Sequence, residues 1–355
     1  MLRCSMLDDP EVIRRIDSSG MLDTVERMPD QMEDALGLTE GIEGKEGISN
    51  VIISGMGGSA ISGDMVQAWL KGSTQIPIYV NRDYDIPAWI GEKTLAIFIS
   101  YSGNTEETLS AFEKAMSKKS ICVGISSGGI LEEKCKERGC IHIKVPRGYQ
   151  PRAAIAYLLV PTIAILRAFK VITERSFSEL KDAIMTLKSM KREIGKIRKE
   201  KDNRAKQIAR EIHGTFPHIY GWSYLAPVAR RWRTQLNENS KIIAREDTIP
   251  ECNHNDIVGW SANKEISKIS SCIILRDKNE PEKIKKRIEF MKEIFKEGDA
   301  KVIEVEAIGR RKLSRMLSLL YMGDLVSCYL AIIRGIDPTP VTVISRLKEE
   351  LSKVK

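Results

Sequence analysis

Short apolar runs alternate with stretches of helical periodicity along almost the whole chain, the pattern expected of βαβ units building a parallel sheet. An N-terminal helical region extends to about Leu38, and buried-strand runs follow at Asn50–Ser54, Ile76–Val80, Leu95–Ser100, Ile121–Ile125 and Ile141–Val145. Helices near Arg152–Phe169 and Ser178–Arg198 lead to a second series of strands, at His218–Gly221, Ile242–Arg245, Ser271–Leu275 and Lys301–Glu304, with a helix starting near Ala226. The apolar segment Leu313–Arg334 predicts one long helix. Beyond it, Asp337-Pro338-Thr339-Pro340 supplies the capping hydroxyl and the prolines that announce a last helix over Val341–Leu351, ending near Lys353. The second half repeats the first in outline, and no low-complexity linker divides them. The expected architecture is α/β, with two doubly wound subdomains, each a mostly parallel sheet flanked by helices. Residues 1–150 form the first, 151–200 are connecting helices, and 201–355 form the second.

A chain of 355 residues is long for a single core, in keeping with two units. With 42% hydrophobic and 29% charged residues it has the composition of a globular protein, and its Lys, Glu and Ile content would suit a thermophile. The 56 basic and 48 acidic side chains leave a net charge of +8, distributed over helices such as 188–201. Without interleaved aromatics or a DNA-binding motif, this charge argues for attraction of an anionic metabolite and against nucleic acid. Cys4, Cys122, Cys135, Cys140, Cys252, Cys272 and Cys328 form an odd set with no C-x-x-C pair, the usage of a reducing cytosol. No run of about 18 apolar residues is present, and the first ten residues lack the basic and apolar regions of a signal peptide, so a cytoplasmic protein without membrane attachment is expected. His142, His213, His218 and His254 are scattered. Only Cys252-Asn253-His254 brings two ligand types close, too few for a zinc site, and neither metal nor cofactor is expected.

The chemistry concentrates in two strand-to-helix turns. In Val51–Asp64 a strand run empties into Gly55-Met56-Gly57-Gly58-Ser59, where glycines let the backbone approach a ligand and a following helix points free N–H groups at an anion. A second apolar run ends in Ser100-Tyr101-Ser102-Gly103-Asn104-Thr105 before another helix. Two such turns on one sheet suggest a phosphorylated ligand held from both sides, with hydroxyls from Ser59, Ser100, Ser102 and Thr105 and amides from Gly57 and Gly58. Gly55 to Ala60 also fits a dinucleotide fingerprint, but the acid expected after the next strand is not cleanly placed in Asn81-Arg82-Asp83, and a dinucleotide does not need the second hydroxyl turn. A nucleotide P-loop fits less well still: Gly58 to Gly63 has the right spacing, but Asp64 stands where lysine is required.

These turns, with Asn237-Glu238-Asn239-Ser240-Lys241 downstream, resemble those of sugar isomerase (SIS) domain proteins. Within that group the similarity is to the bifunctional phosphoglucose/phosphomannose isomerases of archaea and some bacteria. Their Pro-Arg-x-Ala element is matched by Pro151-Arg152-Ala153-Ala154, and their Asn-His-Asn-Glu loop by Asn253-His254-Asn255-Asp256, where aspartate for glutamate leaves the histidine undisturbed. The first two motifs are shared by regulators, aminotransferases and isomerases; the later three point to an isomerase. The resemblance covers almost the whole chain. It implies a metal-independent interconversion of glucose 6-phosphate and mannose 6-phosphate with fructose 6-phosphate.

Moving a proton between C1 and C2 through an enediolate requires a carboxylate-type base, a cation beside the developing oxyanion and help in opening the ring. On this reading Glu238, after the helix that begins near Ala226, moves the proton. Arg152, poorly placed against the dipole at the start of an apolar helix, stabilises the enediolate. His254, on a polar loop and of a residue type that titrates in the useful range, opens the ring. The resemblance implies that His254 acts in the site of a neighbouring subunit, making the protein a homodimer. It also implies an active-site lysine in the last helix, for which Lys348 is the candidate, and a hydroxyl that tolerates either C2 epimer, for which Thr339 and Thr342 are both open. The contrasting class is a phosphosugar sensor that binds through Ser59 and Ser102 without needing the carboxylate.

Overall fold

The computed structural model describes residues 5–351 and Lys353, excluding the side chain of Lys348. The candidate role of Lys348 therefore lies outside the described residues. The first sheet contains β1 (Asn50–Ser54), β2 (Ile78–Asn81), β3 (Thr94–Ile99), β4 (Ile121–Ser126) and β5 (Ile141–Lys144), all parallel in the order β2-β1-β3-β4-β5. Val51 pairs with Ile78 on one side and Leu95 on the other. Successive residues are buried from Val51 to Ser54 in β1 and throughout β3, so neither strand alternates, as expected where helices cover both faces of a parallel sheet. The second sheet contains β6 (Phe216–Trp222), β7 (Arg245–Ile249), β8 (Ser270–Arg276) and β9 (Lys301–Glu306), also parallel, in the order β7-β6-β8-β9. In both sheets the chain leaves the first strand for one neighbour and then crosses to the other side. This creates topological switch points between β1 and β3 and between β6 and β8, where α/β sheets hold ligands.

Two boundaries differ instructively from the expectation. The predicted Ile242–Arg245 strand is displaced: β7 begins at Arg245, and the apolar pair before it belongs to a turn in which Lys241 has φ +54° and Ile243 is exposed. As an edge strand with a single neighbour, β7 can be built from Arg-Glu-Asp-Thr-Ile. Glu238, expected just after the preceding helix, is instead the last residue of Ala226–Glu238.

The Lys312–Ile333 helix revises the statement about apolar runs, since its best 18-residue window has a mean hydropathy of 1.8, enough for a membrane span by composition. Burial inside the fold covers 94% of that window. The helix packs on Met21–Glu26, Glu174–Ile194, Arg204–Ile212 and Ala226–Glu238, and carries Asp324 in a buried ion pair with Arg231. It is the common spine of the molecule. One continuous apolar core extends from Leu7 through both sheets to Ile332, while a smaller cluster around Ile52, Phe98 and Phe112 lies beneath the other face of the first sheet.

Candidate active site

β1 leads through Gly55 and Met56 into the Gly57–Leu70 helix, whose first residue has φ +51° and whose N-terminus has no side-chain cap. Its leading N–H groups are thus directed at the switch point with no side chain occupying them. Gly55 is needed for closeness, since a Cβ there would stand 2.9 Å from the Ile99 carbonyl at the end of β3. The two turns therefore touch. Ser59 is buried in the first helical turn. In the second turn Ser100 is fully buried; its Oγ pairs with Thr105 Oγ1 at 2.8 Å and accepts from the N–H groups of Gly103 (3.1 Å) and Thr105 (3.4 Å). Ser100 thus shapes the turn, while Ser102 is exposed and accepts from Asn104 N–H at 3.2 Å.

The Pro151–Ala153 turn packs against the same glycines: a Cβ on Gly58 would lie 3.1 Å from Arg152 Cα. The Arg152 side chain is buried and crosses from the first half of the chain to the second. Nε donates to Asn239 Oδ1 (2.6 Å), Nη2 donates to the carbonyls of Pro338 and Thr339 (both 2.8 Å), and Nη1 stands 3.6 Å from Glu238 Oε2. Burial pulls the guanidinium below its usual range, and the Glu238 carboxylate opposes that pull. Glu238 itself is partly open, with 29% side-chain exposure. A buried cation with a partly solvated carboxylate beside it can stabilise an oxyanion while a proton moves.

Further residues secure this pair. Arg231 Nη2 donates both to the Arg152 carbonyl (2.8 Å) and to Asp324 (2.6 Å), fixing the Arg152 backbone. Asn239 Nδ2 donates to Ser327 Oγ at 2.9 Å. Ser18 Oγ donates to Asp337 (2.9 Å), which accepts from the Thr339 N–H (2.8 Å). Among the described residues the buried Thr339 Oγ1 has no hydrogen-bond partner, whereas Thr342 is exposed. Sequence reasoning missed Arg231, Asp324 and Ser18, which meet only through long-range packing. Asn239 and Lys241 were visible in the motif around Glu238, without a role. His254 is exposed in the turn after β7, and among the described residues no hydrogen bond or ion pair joins it to Arg152 or Glu238.

Two parallel sheets of this topology, with glycine and hydroxyl turns at the first switch point, define the SIS class. The chain matches the SIS domain model over residues 47–172 and the model described as the bacterial phospho-glucose isomerase C-terminal SIS domain over 201–351. It is 36% identical to the bifunctional phosphoglucose/phosphomannose isomerase of Caldicellulosiruptor bescii, over 94% of this chain and 100% of that one. Identity to the protein of the same name from Aquifex aeolicus is 36%, over 85% of this chain and 90% of that one. A D-glucosamine-6-phosphate 4-epimerase of Sulfolobus acidocaldarius is 30% identical over 69% of this chain and 74% of its own. Among solved structures, a hypothetical protein of Thermus thermophilus shares the fold with a TM-score of 0.77 at 12% identity, covering 97% of this chain and 93% of that one. The chain belongs to the bifunctional phosphoglucose/phosphomannose isomerase family.

Proposed function

We propose that the protein interconverts glucose 6-phosphate and mannose 6-phosphate with fructose 6-phosphate, moving a proton between C1 and C2 through a cis-enediolate without a metal or other cofactor. The carrying observation is the Arg152–Glu238 pair, with Nη1 to Oε2 at 3.6 Å, immediately behind Gly58 of the first glycine turn. With the 6-phosphate on Gly57, Gly58, Ser59, Ser102 and Thr105, and with Ser100 holding the second turn in shape, C1 and C2 are brought to the pair. Glu238 takes the proton from one carbon and returns it to the other. The fixed charge of Arg152 holds the enediolate oxygen. Thr339, tied to Arg152 through its carbonyl, offers a buried hydroxyl with no partner among the described residues and is preferred to Thr342 as the group that accommodates either C2 epimer.

Ring opening is assigned to His254 of the partner subunit in a homodimer, a reading supported by its exposure and by its having no bond to the pair among the described residues of one chain; Lys348 assists. A cytoplasmic setting accompanies this reading, in keeping with the unpaired thiols of Cys122, Cys135, Cys140, Cys252, Cys272 and Cys328.

The test is formation of fructose 6-phosphate from each aldose phosphate, with chelator present and Glu238→Gln in parallel. Turnover of both sugars that resists chelator and falls by about 10²–10⁴-fold in the variant is expected. Saturable phosphosugar binding without turnover of either sugar would move the assignment to a sensor or to another sugar phosphate.

A further inference from the structure

Lys241 follows the helix that ends at Glu238 and turns back on it through a left-handed backbone, with φ +54°. A non-glycine residue in that conformation is strained, so its surroundings must hold it there. They do: the Lys241 ammonium donates to the carbonyls of Glu238 (2.7 Å), Asn239 (3.3 Å) and Pro338 (2.8 Å), and Arg334 Nη1 donates to the carbonyl of Lys241 at 3.0 Å. Carbonyls at a helix C-terminus lack intrahelical donors and carry partial negative charge, which makes an ammonium a strong partner. Pro338 is the same carbonyl that receives Arg152 Nη2. Two cations therefore converge on one loop residue, one from the base-bearing helix end and one from the oxyanion side.

Building on the isomerase reading, we propose that Lys241 is a positioning residue for that reaction: its ammonium clamps the end of the Glu238 helix to the 337–339 loop and so holds the carboxylate in register with Arg152. The clamp depends on charge. Burial, and then the charge of Arg152, pull the ammonium down to about 8, while Asp337, Cys328 and Glu238 pull it upward; Arg334 adjoins its backbone. As pH rises through about 8 this lysine loses its proton, which loosens the carboxylate and leaves the phosphate turns intact. Turnover should therefore fall above about pH 8 with little change in KM.

The deciding experiment compares wild type, Lys241→Arg and Lys241→Met between pH 6.5 and 10, recording kcat, KM and melting temperature. Expected are a fall in wild-type kcat above pH 8, a fall displaced upward by at least one pH unit in Lys241→Arg, and a kcat reduced by about 10- to 100-fold at pH 7 in Lys241→Met with KM within threefold. A Lys241→Met kcat within threefold of wild type, or an alkaline fall unmoved in Lys241→Arg, would overturn the proposal. If Lys241→Met does not fold, the alkaline limb of Lys241→Arg decides alone. No wild-type turnover at any pH would instead defeat the isomerase reading, and the catalytic role of the clamp with it.

Discussion

The serines around the first switch point are chemically alike and differently employed. Ser100 spends its hydroxyl on Thr105 and two backbone amides, whereas no hydrogen bond among the described residues occupies the Ser59 hydroxyl. Ser59→Ala should accordingly raise KM by about tenfold, with kcat and melting temperature near wild type, as loss of one hydrogen bond to a charged ligand implies. Ser100→Ala should raise KM and also lower the melting temperature, because the turn itself loses its internal acceptor. Equal effects of the two changes on melting would contradict this division of labour. A separate residue-scale consequence concerns acid. His218, between the rings of Phe216 and Trp260, is driven down to about 4 by burial and by Arg245, with Asp256 opposing. An unfolded chain protonates this imidazole near 6.5, so the folded state holds its advantage above that pH and loses it as pH falls toward 4. Melting temperature should decline more steeply between pH 6.5 and 4.5 in wild type than in His218→Phe; parallel curves would dismiss the imidazole as the cause.

Helix against helix, Lys312–Ile333 and Ala226–Glu238 approach closely at one glycine. Gly323 faces Trp232, and a Cβ there would run into the indole, whose Nε1 donates to the Leu319 carbonyl at 2.8 Å. Gly323→Ala should therefore destabilise by about 1–3 kcal/mol in chemical denaturation, an overpacking cost that unchanged stability would refute. The elements most legible in the sequence were the fully buried strands: β1 spans Asn50–Ser54 as read, because both faces are covered and its apolar run is unbroken. β7 was misread because an edge strand requires little apolar character, and a neighbouring apolar pair served as a decoy. Proposed site residues within motifs, such as Glu238 and Arg152, could be named from the sequence. The contacts that hold them could not, since Arg231 to Asp324 spans 93 positions and Ser18 to Asp337 spans 319.

At the scale of the whole molecule, the Lys312–Ile333 spine and the continuous core make the two sheets a single packing unit, yet one proposed catalytic group, His254, is exposed and, among the described residues, has no hydrogen bond or ion pair to Arg152 or Glu238. Intersubunit complementation tests that assignment directly. Mixing Glu238→Gln with His254→Asn, each inactive alone, should restore about a quarter of wild-type specific activity after subunit exchange, because half of the randomly paired dimers contain one complete site. No recovery, with mixed dimers demonstrated, would return His254 to its own chain. The contact between Gly58 and the Arg152 backbone carries a last consequence. A methyl group on Gly58 would crowd the chain that bears the guanidinium, so the glycine keeps the proposed phosphate cradle and Arg152 at a short, set spacing. In the proposed reaction that contact is a ruler. It measures the number of carbons between a substrate's phosphate and its carbonyl, so a shorter sugar phosphate can be gripped by its phosphate and still fall short of the chemistry.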